Sequence, residues 1–266
     1  MTAIISTTFD DKYFYFLPIT TWCWNKLGID VVCFCPRLDK GNNDKAALVG
    51  KTLIDNNLRC RKYFFDAPEH KQATYAQCLR LYGGAIEADN DEVFIVGDVD
   101  MAVFNAPFFS QFEDGKCHII GADLVPPNQY PMCYLVYTSL GWWKVMDVGA
   151  NTYQQCVDEL LGQIESTHFR GNFWAKDQET AFNHFSNYAT PIFHNRAREG
   201  TQFASNRLDR DDAYILERDV AGVIDYHMNR PGFEHIETIL TIFYKIYPEE
   251  NFDWIRTYTE EYKKLL

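Results

Sequence analysis

The sequence has no surplus of basic charge, no C-x-x-C cysteine pair and no apolar run of membrane length. Each absence removes a class of function. Lys and Arg number 25 against 37 Asp and Glu, for a net charge of −12. A nucleic-acid binder needs a basic surface to neutralise phosphates, and a polybasic membrane anchor needs one too. No uncharged stretch approaches the roughly 18–20 residues of a membrane helix. The opening MTAIISTTFDDKYFYF has no basic lead and acquires acids early, so it does not read as a signal peptide. The 8 cysteines (Cys23, Cys33, Cys35, Cys60, Cys78, Cys117, Cys133, Cys156) contain no C-x-x-C pair. That argues against zinc and predicts buried free thiols in a reducing cytosol. No internal repeat, low-complexity tract or linker interrupts the chain. The expectation is a cytoplasmic protein with no nucleic-acid partner and no integral membrane segment. An anionic substrate stays open, because a bound cation reverses the local sign of charge.

What is present is a core. The 266 residues are 47% hydrophobic, enough for one large domain or two small ones. Aromatics reach 16%, with 16 Tyr and 20 Phe. Such residues serve equally to stack planar ligands and to fill interiors.

The first hundred residues alternate in period. Residues 3–7 read as a buried strand, and a helix follows from Lys12 or Tyr13 to Leu27. Pro18 kinks that helix or marks its true start, and Gly28 stops it. Residues 29–35 form a second strand, 44–57 a helix, 60–66 a third strand. In 69–83, Tyr75, Cys78, Leu79 and Tyr82 share one helical face, and Tyr82-Gly83-Gly84 ends it. Residues 92–98, EVFIVGD, form the clearest strand. Strands alternating with helices imply a mainly parallel sheet covered on both faces, with ligands bound beyond the carboxyl ends of its strands. The second half is more mixed. Strands are expected in 117–124, 132–138 and 218–227. Helices are expected from Ser139, over 151–165, over 175–185 and through most of 234–264, broken near Pro248. The whole reads as one α/β domain.

The strand 92–98 delivers Asp98 and, two residues on, Asp100, before the chain turns apolar again at Met101. A solvated turn would explain an isolated Asp-x-Asp. A carboxylate pair between apolar runs, at a strand's carboxyl end, instead suits a hard divalent cation, Mn²⁺ or Mg²⁺, that bridges to a phosphate. Asp89-Asn90-Asp91 repeats the spacing, but among polar residues, where an exposed turn is the simpler reading.

Four segments in chain order, together with that Asp-x-Asp, resemble the GT-A class of nucleotide-sugar glycosyltransferases. They are most similar to the family of glycogenin and the bacterial galactosyltransferases, and to a small viral or bacterial branch of it. ISTTFDDKY (5–13) is similar to the family's uridine edge, which implies Thr8, Asp10 and Tyr13 as donor contacts. Asp10 or Asp11 could equally cap a helix. HKQATYAQCLRLYGGAI (70–86) corresponds to a helix carrying a donor-contacting base. At about 100° per residue Lys71 lies near the apolar face and Arg80 opposite, which favours Lys71. WAKDQETAFN (174–183) resembles the Asp-Gln helix start beside the reacting sugar carbon, implying catalytic roles for Asp177 and Gln178. DYHMNRPGF (225–233) is a shortened form of the late His-containing segment, implying His227 as third metal ligand and Arg230 on the diphosphate. Here His and base are closer together than in the family, and the glycine follows the proline.

The resemblance implies a metal-dependent glycosyltransferase that moves a sugar from a nucleoside-diphosphate sugar, a UDP-sugar, to a hydroxyl of a glycan or other acceptor. Residues 1–104 would form the donor half, and 105–266 the acceptor half with the C-terminal helices. Asp98, Asp100 and His227 would hold the metal, and Trp142, Trp143 and Trp174 are candidate sugar-stacking surfaces. Two alternatives stay open. One is a haloacid dehalogenase-type phosphatase with Asp98 as nucleophile, although that motif wants Thr or Val where Ala102 stands and normally lies on the first strand. The other is a non-catalytic nucleotide- or sugar-binding module.

Overall fold

The computed structural model describes residues 1–37, 43–84, 92–164, 175–194 and 206–266. In chain order the elements are β1 (Thr2–Ser6), α1 (Asp11–Phe14), α2 (Leu17–Lys26), β2 (Asp30–Pro36), α3 (Asn43–Asp55), β3 (Cys60–Phe65), α4 (Gln72–Gly83), β4 (Val93–Val96), β5 (Met101–Val103) and α5 (Ala106–Ser110). They continue with β6 (His118–Ile120), β7 (Leu135–Thr138), α6 (Ser139–Val145), α7 (Tyr153–Ile164), α8 (Lys176–Tyr188), β8 (Ile192–His194), β9 (Arg207–Asp209), β10 (Asp225–His227), α9 (Ile236–Ile246) and α10 (Asp253–Lys263).

Among these residues a 7-stranded sheet runs β3-β2-β1-β4-β7-β6-β8. Its first four strands are parallel, and β7 is antiparallel to both its neighbours. The expected mixed, mainly parallel α/β architecture is present, and strands from both sides of residue 104 share this sheet. Alternation along each strand builds two cores, because successive side chains point to opposite faces. Ala3, Ile5, Val31, Cys33, Val93 and Ile95 face α2, α9 and α10. Ile4, Val32, Phe34, Phe94 and Val96 face α4, α6, α7 and α8. All eight cysteines are free thiols, six of them buried.

The first helix divides in two, and Pro18 sits in the opening turn of α2, where its missing N–H costs nothing. Gly28 ends that helix at φ +80°, as expected of a C-terminal stop. Gly83 has a different reason. A Cβ there would lie 2.7 Å from Ile4 Cγ2 and 2.9 Å from Phe34 Cε2, so glycine lets α4 press against β1 and β2.

Two features place the site. The chain leaves β1 toward β2 on one side and later returns to β4 on the other, so the connections diverge at the carboxyl ends of β1 and β4 and open a crevice there. A 3-stranded sheet, β5-β10-β9, closes over it. This small sheet was not anticipated. Its strands are three residues each, and Arg207-Leu208-Asp209 carries no apolar alternation.

Candidate functional site

Thr7 and Thr8 follow β1, and Gly97, Asp98 and Asp100 follow β4. Between them lies a cavity of about 360 Å³. It is also lined by Tyr13 of α1, Ala76 and Arg80 of α4, Asp177 and Gln178 of α8, and Arg207, Arg210, His227 and Arg230 from around the small sheet. A larger hollow of about 550 Å³ lies by Gly115, Tyr137 and Ile192. Lys116 is its one charged lining residue, so it lacks the paired groups that chemistry requires.

Eight of the ten site residues expected from sequence converge here: Thr8, Tyr13, Asp98, Asp100, Asp177, Gln178, His227 and Arg230. Asp10 and Lys71 do not line the cavity. Asp10 caps α1, accepting the Lys12 N–H at 2.9 Å, so the helix-cap reading accounts for it. Lys71 ends a single 3₁₀ turn, Glu69–Lys71, ahead of α4.

The basic residue of this helix in the cavity is Arg80, against the expectation from the helical wheel. A helical wheel supposes one wet face. In α4 Tyr75, Ala76, Cys78, Leu79, Arg80, Leu81 and Tyr82 are all buried, because the sheet covers one side and α6, α7 and α8 another. A polar side chain opposite the apolar stripe therefore meets protein and needs partners. Arg80 has four. It pairs with Asp98, donates from Nη2 to Asp177 Oδ2 at 2.9 Å, donates from Nη1 to the Gly97 carbonyl at 3.1 Å, and donates from Nε to the Gln77 carbonyl at 3.4 Å. One buried guanidinium thus ties the Asp-x-Asp segment to the start of α8.

Asp177 is 2% exposed. Burial pushes its carboxyl up to about 6 even though Arg80 opposes the shift. Its Oδ1 accepts the Gln178 N–H at 2.9 Å.

Asp100 is buried and ringed by cations. Its Oδ2 lies 2.8 Å from Arg210 Nη1, 3.3 Å from His227 Nε2 and 3.4 Å from Arg230 Nε. Burial alone would raise its pKa, but His227 and Arg210 hold it well below the usual carboxylate range. The small sheet brings these groups together through its register. His227 stands opposite Met101, the residue after Asp100, and opposite Asp209 on the other side. The far nitrogen of His227, Nδ1, is 3.4 Å from Asp209 Oδ2. Burial lowers the imidazole pKa, yet the two flanking carboxylates outweigh it and bring the ring up to about 9. Arg230 packs its guanidinium 4.9 Å from the centre of the Tyr13 ring and donates to the Tyr13 hydroxyl.

Arg207, Arg210 and Asp209 were missed from sequence. Arg207 grips the fully buried Asp225 through Nε at 2.9 Å and Nη2 at 3.2 Å. The signal available was the charge-dense run RLDRDD (207–212), too rich in paired charges for a plain surface turn. Trp142 lies in the core against Phe185, and Trp143 is exposed with its Nε1–H on the Gly149 carbonyl. Neither lines the cavity. Trp174 and Asp89-Asn90-Asp91 lie outside the described residues.

The donor types fit a hard divalent cation. Two carboxylates at a strand end lie with a histidine whose other ring nitrogen faces a carboxylate, an arrangement common behind metal-bound imidazoles. As the side chains stand, however, no three such groups among the described residues form a closed shell, because each carboxylate is engaged by arginine.

No protein-family model matches the sequence, and no curated protein matches it. Among solved structures, the galactosyltransferase LgtC in complex with donor and acceptor sugar analogues aligns over 85% of this chain and 86% of its own, with 13% identity and a TM-score of 0.49. An active-site mutant of LgtC gives 13% identity and 0.48 over the same shares. The apo form of mouse xyloside xylosyltransferase 1 gives 12% identity and 0.41, over 86% of this chain and 97% of that one. Likeness at this level says nothing about activity. The chemistry has to come from the site's own residues.

Proposed function

We propose that this protein is a glycosyltransferase that moves a sugar from a nucleoside-diphosphate sugar, a UDP-sugar, to a hydroxyl of a glycan or other acceptor. The observation that carries this reading is the bridge from Asp98 through Arg80 to Asp177, inside a cavity at the crevice between β1 and β4. It joins a carboxylate suited to phosphate chemistry with one suited to sugar chemistry. Residues 1–104 supply the nucleotide edge, and 105–266 supply Asp177, the late cations and the acceptor side.

In this reading Asp98, Asp100 and His227 would hold Mn²⁺ or Mg²⁺, which supplies charge neutralisation for the diphosphate as it departs. Thr8 and Tyr13 flank the nucleoside. Arg230, braced on the Tyr13 ring, adds fixed positive charge where the leaving phosphate gains negative charge. Asp177 sits beside the anomeric carbon, which develops positive charge as its bond breaks, and an ionised carboxylate stabilises that charge. Arg80 orients Asp177 and keeps it ionised at neutral pH despite burial. Gln178 orients the sugar. A phosphatase that used Asp98 as nucleophile has less support, since the Asp98 carboxylate is engaged by Arg80.

A screen of UDP- and GDP-sugars by metal-dependent thermal shift, followed by slow release of UDP from the sugar that binds, tests the reading. Asp100→Asn should abolish metal-dependent UDP binding in calorimetry. Asp177→Ala should bind UDP nearly as well as the parent yet transfer no sugar. Transfer that persists in Asp177→Ala would reduce Asp177 to a structural partner of Arg80. Attack on phosphate esters without UDP release would favour the phosphatase.

A further inference from the structure

Four arginines line the cavity, and three are committed. Arg80 is buried on two carboxylates and two carbonyls. Arg207 chelates the fully buried Asp225, which also accepts the Tyr134 hydroxyl at 2.8 Å. Arg230 is braced on Tyr13. Arg210 differs. Its hydrogen bonds run through Nη1 alone, to Asp100 Oδ2 at 2.8 Å and to the Met228 carbonyl at 3.2 Å. Among the described residues its Nε and Nη2 have no acceptor.

Its backbone is held independently of its side chain. The Arg210 N–H donates to the His227 carbonyl at 3.1 Å, and the Arg210 carbonyl accepts from Asn229 Nδ2 at 3.4 Å. The guanidinium can therefore move while the turn after β9 stays in place.

Asp100 Oδ2 is also oversubscribed. One carboxylate oxygen accepts about two hydrogen bonds well, and here Arg210, His227 and Arg230 all converge on it. A cation taken by Asp100 competes first with Arg210, the nearest of the three. A guanidinium released there stays inside the cavity with its fork of N–H groups free, and that fork matches a phosphate.

We propose that Arg210 is a diphosphate-binding residue that Asp100 holds in reserve, and that it moves from the carboxylate to the ligand's phosphates when Asp100 takes a cation. The inference rests on the nucleotide-sugar reading and adds a specific exchange to it. It requires two affinities to move in opposite directions. Removing Arg210 removes a competitor for Asp100, so a cation alone binds more tightly. It also removes a phosphate partner, so a diphosphate binds more weakly.

The test is calorimetry on the intact protein with Mn²⁺ alone, then with inorganic pyrophosphate and with UDP at saturating Mn²⁺, comparing the parent with Arg210→Gln and Arg210→Lys. Arg210→Gln should bind Mn²⁺ alone several-fold more tightly. It should bind UDP and pyrophosphate roughly ten- to a hundredfold more weakly, the size of one charge-assisted phosphate contact. Arg210→Lys keeps the charge but not the fork, and should still weaken UDP several-fold. If Arg210→Gln fails to fold, Arg210→Lys carries the comparison.

Unchanged UDP and pyrophosphate affinity in a folded variant overturns the proposal while leaving the nucleotide-sugar reading intact. Weaker Mn²⁺ binding, or full UDP affinity in Arg210→Lys, overturns it as well. The first would make Arg210 structural and the second only a distant charge. A parent protein that binds neither Mn²⁺ nor UDP overturns both readings together.

Discussion

Replacing Arg80 by Met retains most of the side chain's bulk and removes the charge that separates two acids. Its side chain is 6% exposed, and its partners are Asp98, Asp177 and the Gly97 and Gln77 carbonyls. Breaking a buried ion pair from one side costs about 3–5 kcal/mol, because the remaining charge is left without a partner. At about 2–4 °C per kcal/mol for a chain near this size, Tm should fall by roughly 6–20 °C.

The loss should also depend on pH, and Asp177 sets its sign. Its pKa is raised by burial to about 6 while Arg80 pulls it down. The unfolded chain therefore releases this proton first, and stability falls as pH rises above the free Asp value. In the parent that fall ends near pH 6. In Arg80→Met the carboxyl climbs further and the fall continues, by about 1.4 kcal/mol for each unit of added shift. Urea unfolding followed by tryptophan fluorescence at pH 5.5 and pH 8 measures the difference. The variant should lose clearly more at pH 8. An equal loss at both pH values would refute the claim that Arg80 holds Asp177 ionised, and no loss at pH 8 would refute the buried bridge itself.

Three further outcomes follow from the geometry. If ionised Asp177 serves sugar transfer, kcat/KM should fall on the acid side with an apparent pKa about 6; a limb near the free Asp value would remove Asp177 from that role. Gly83→Ala gains up to about 1 kcal/mol of helix propensity but places a Cβ 2.7 Å from Ile4, and the steric cost of about 1–3 kcal/mol should win. A stabilised variant in thermal unfolding would show that α4 is not tightly seated. Asp209→Asn should weaken Mn²⁺ binding roughly 10–100-fold by loosening His227, with Asp209→Glu recovering part of it; equal calorimetric affinities would show that the ring needs no such support.

Much of this was legible in the chain itself, and for a common reason. β1, β2 and β4 are apolar runs buried on both faces, which a sequence announces without tertiary help. Asp98 and Asp100 stood out because charge follows such a run directly. Arg80 was misjudged because a helical wheel supposes a wet side, and α4 has almost none. A strand was legible in 218–227, where β10 lies, but the small sheet was not, because β5 and β9 are too short for a period to show.

The sequence alone determined the alternating order of strands and helices, the crevice that this order creates, and the carboxylates delivered to its edge. These are local consequences of periodicity and of where an apolar run stops. Tertiary structure decided which charges meet. Arg80 reaches Asp177, Arg210 reaches Asp100, and Asp209 reaches His227 only through strand register and helix packing between segments far apart in the chain. Burial then converts those meetings into chemistry. In water each pair would be a weak contact, whereas in this cavity an unpartnered charge is too costly to leave, so each acid and base is set by its neighbour.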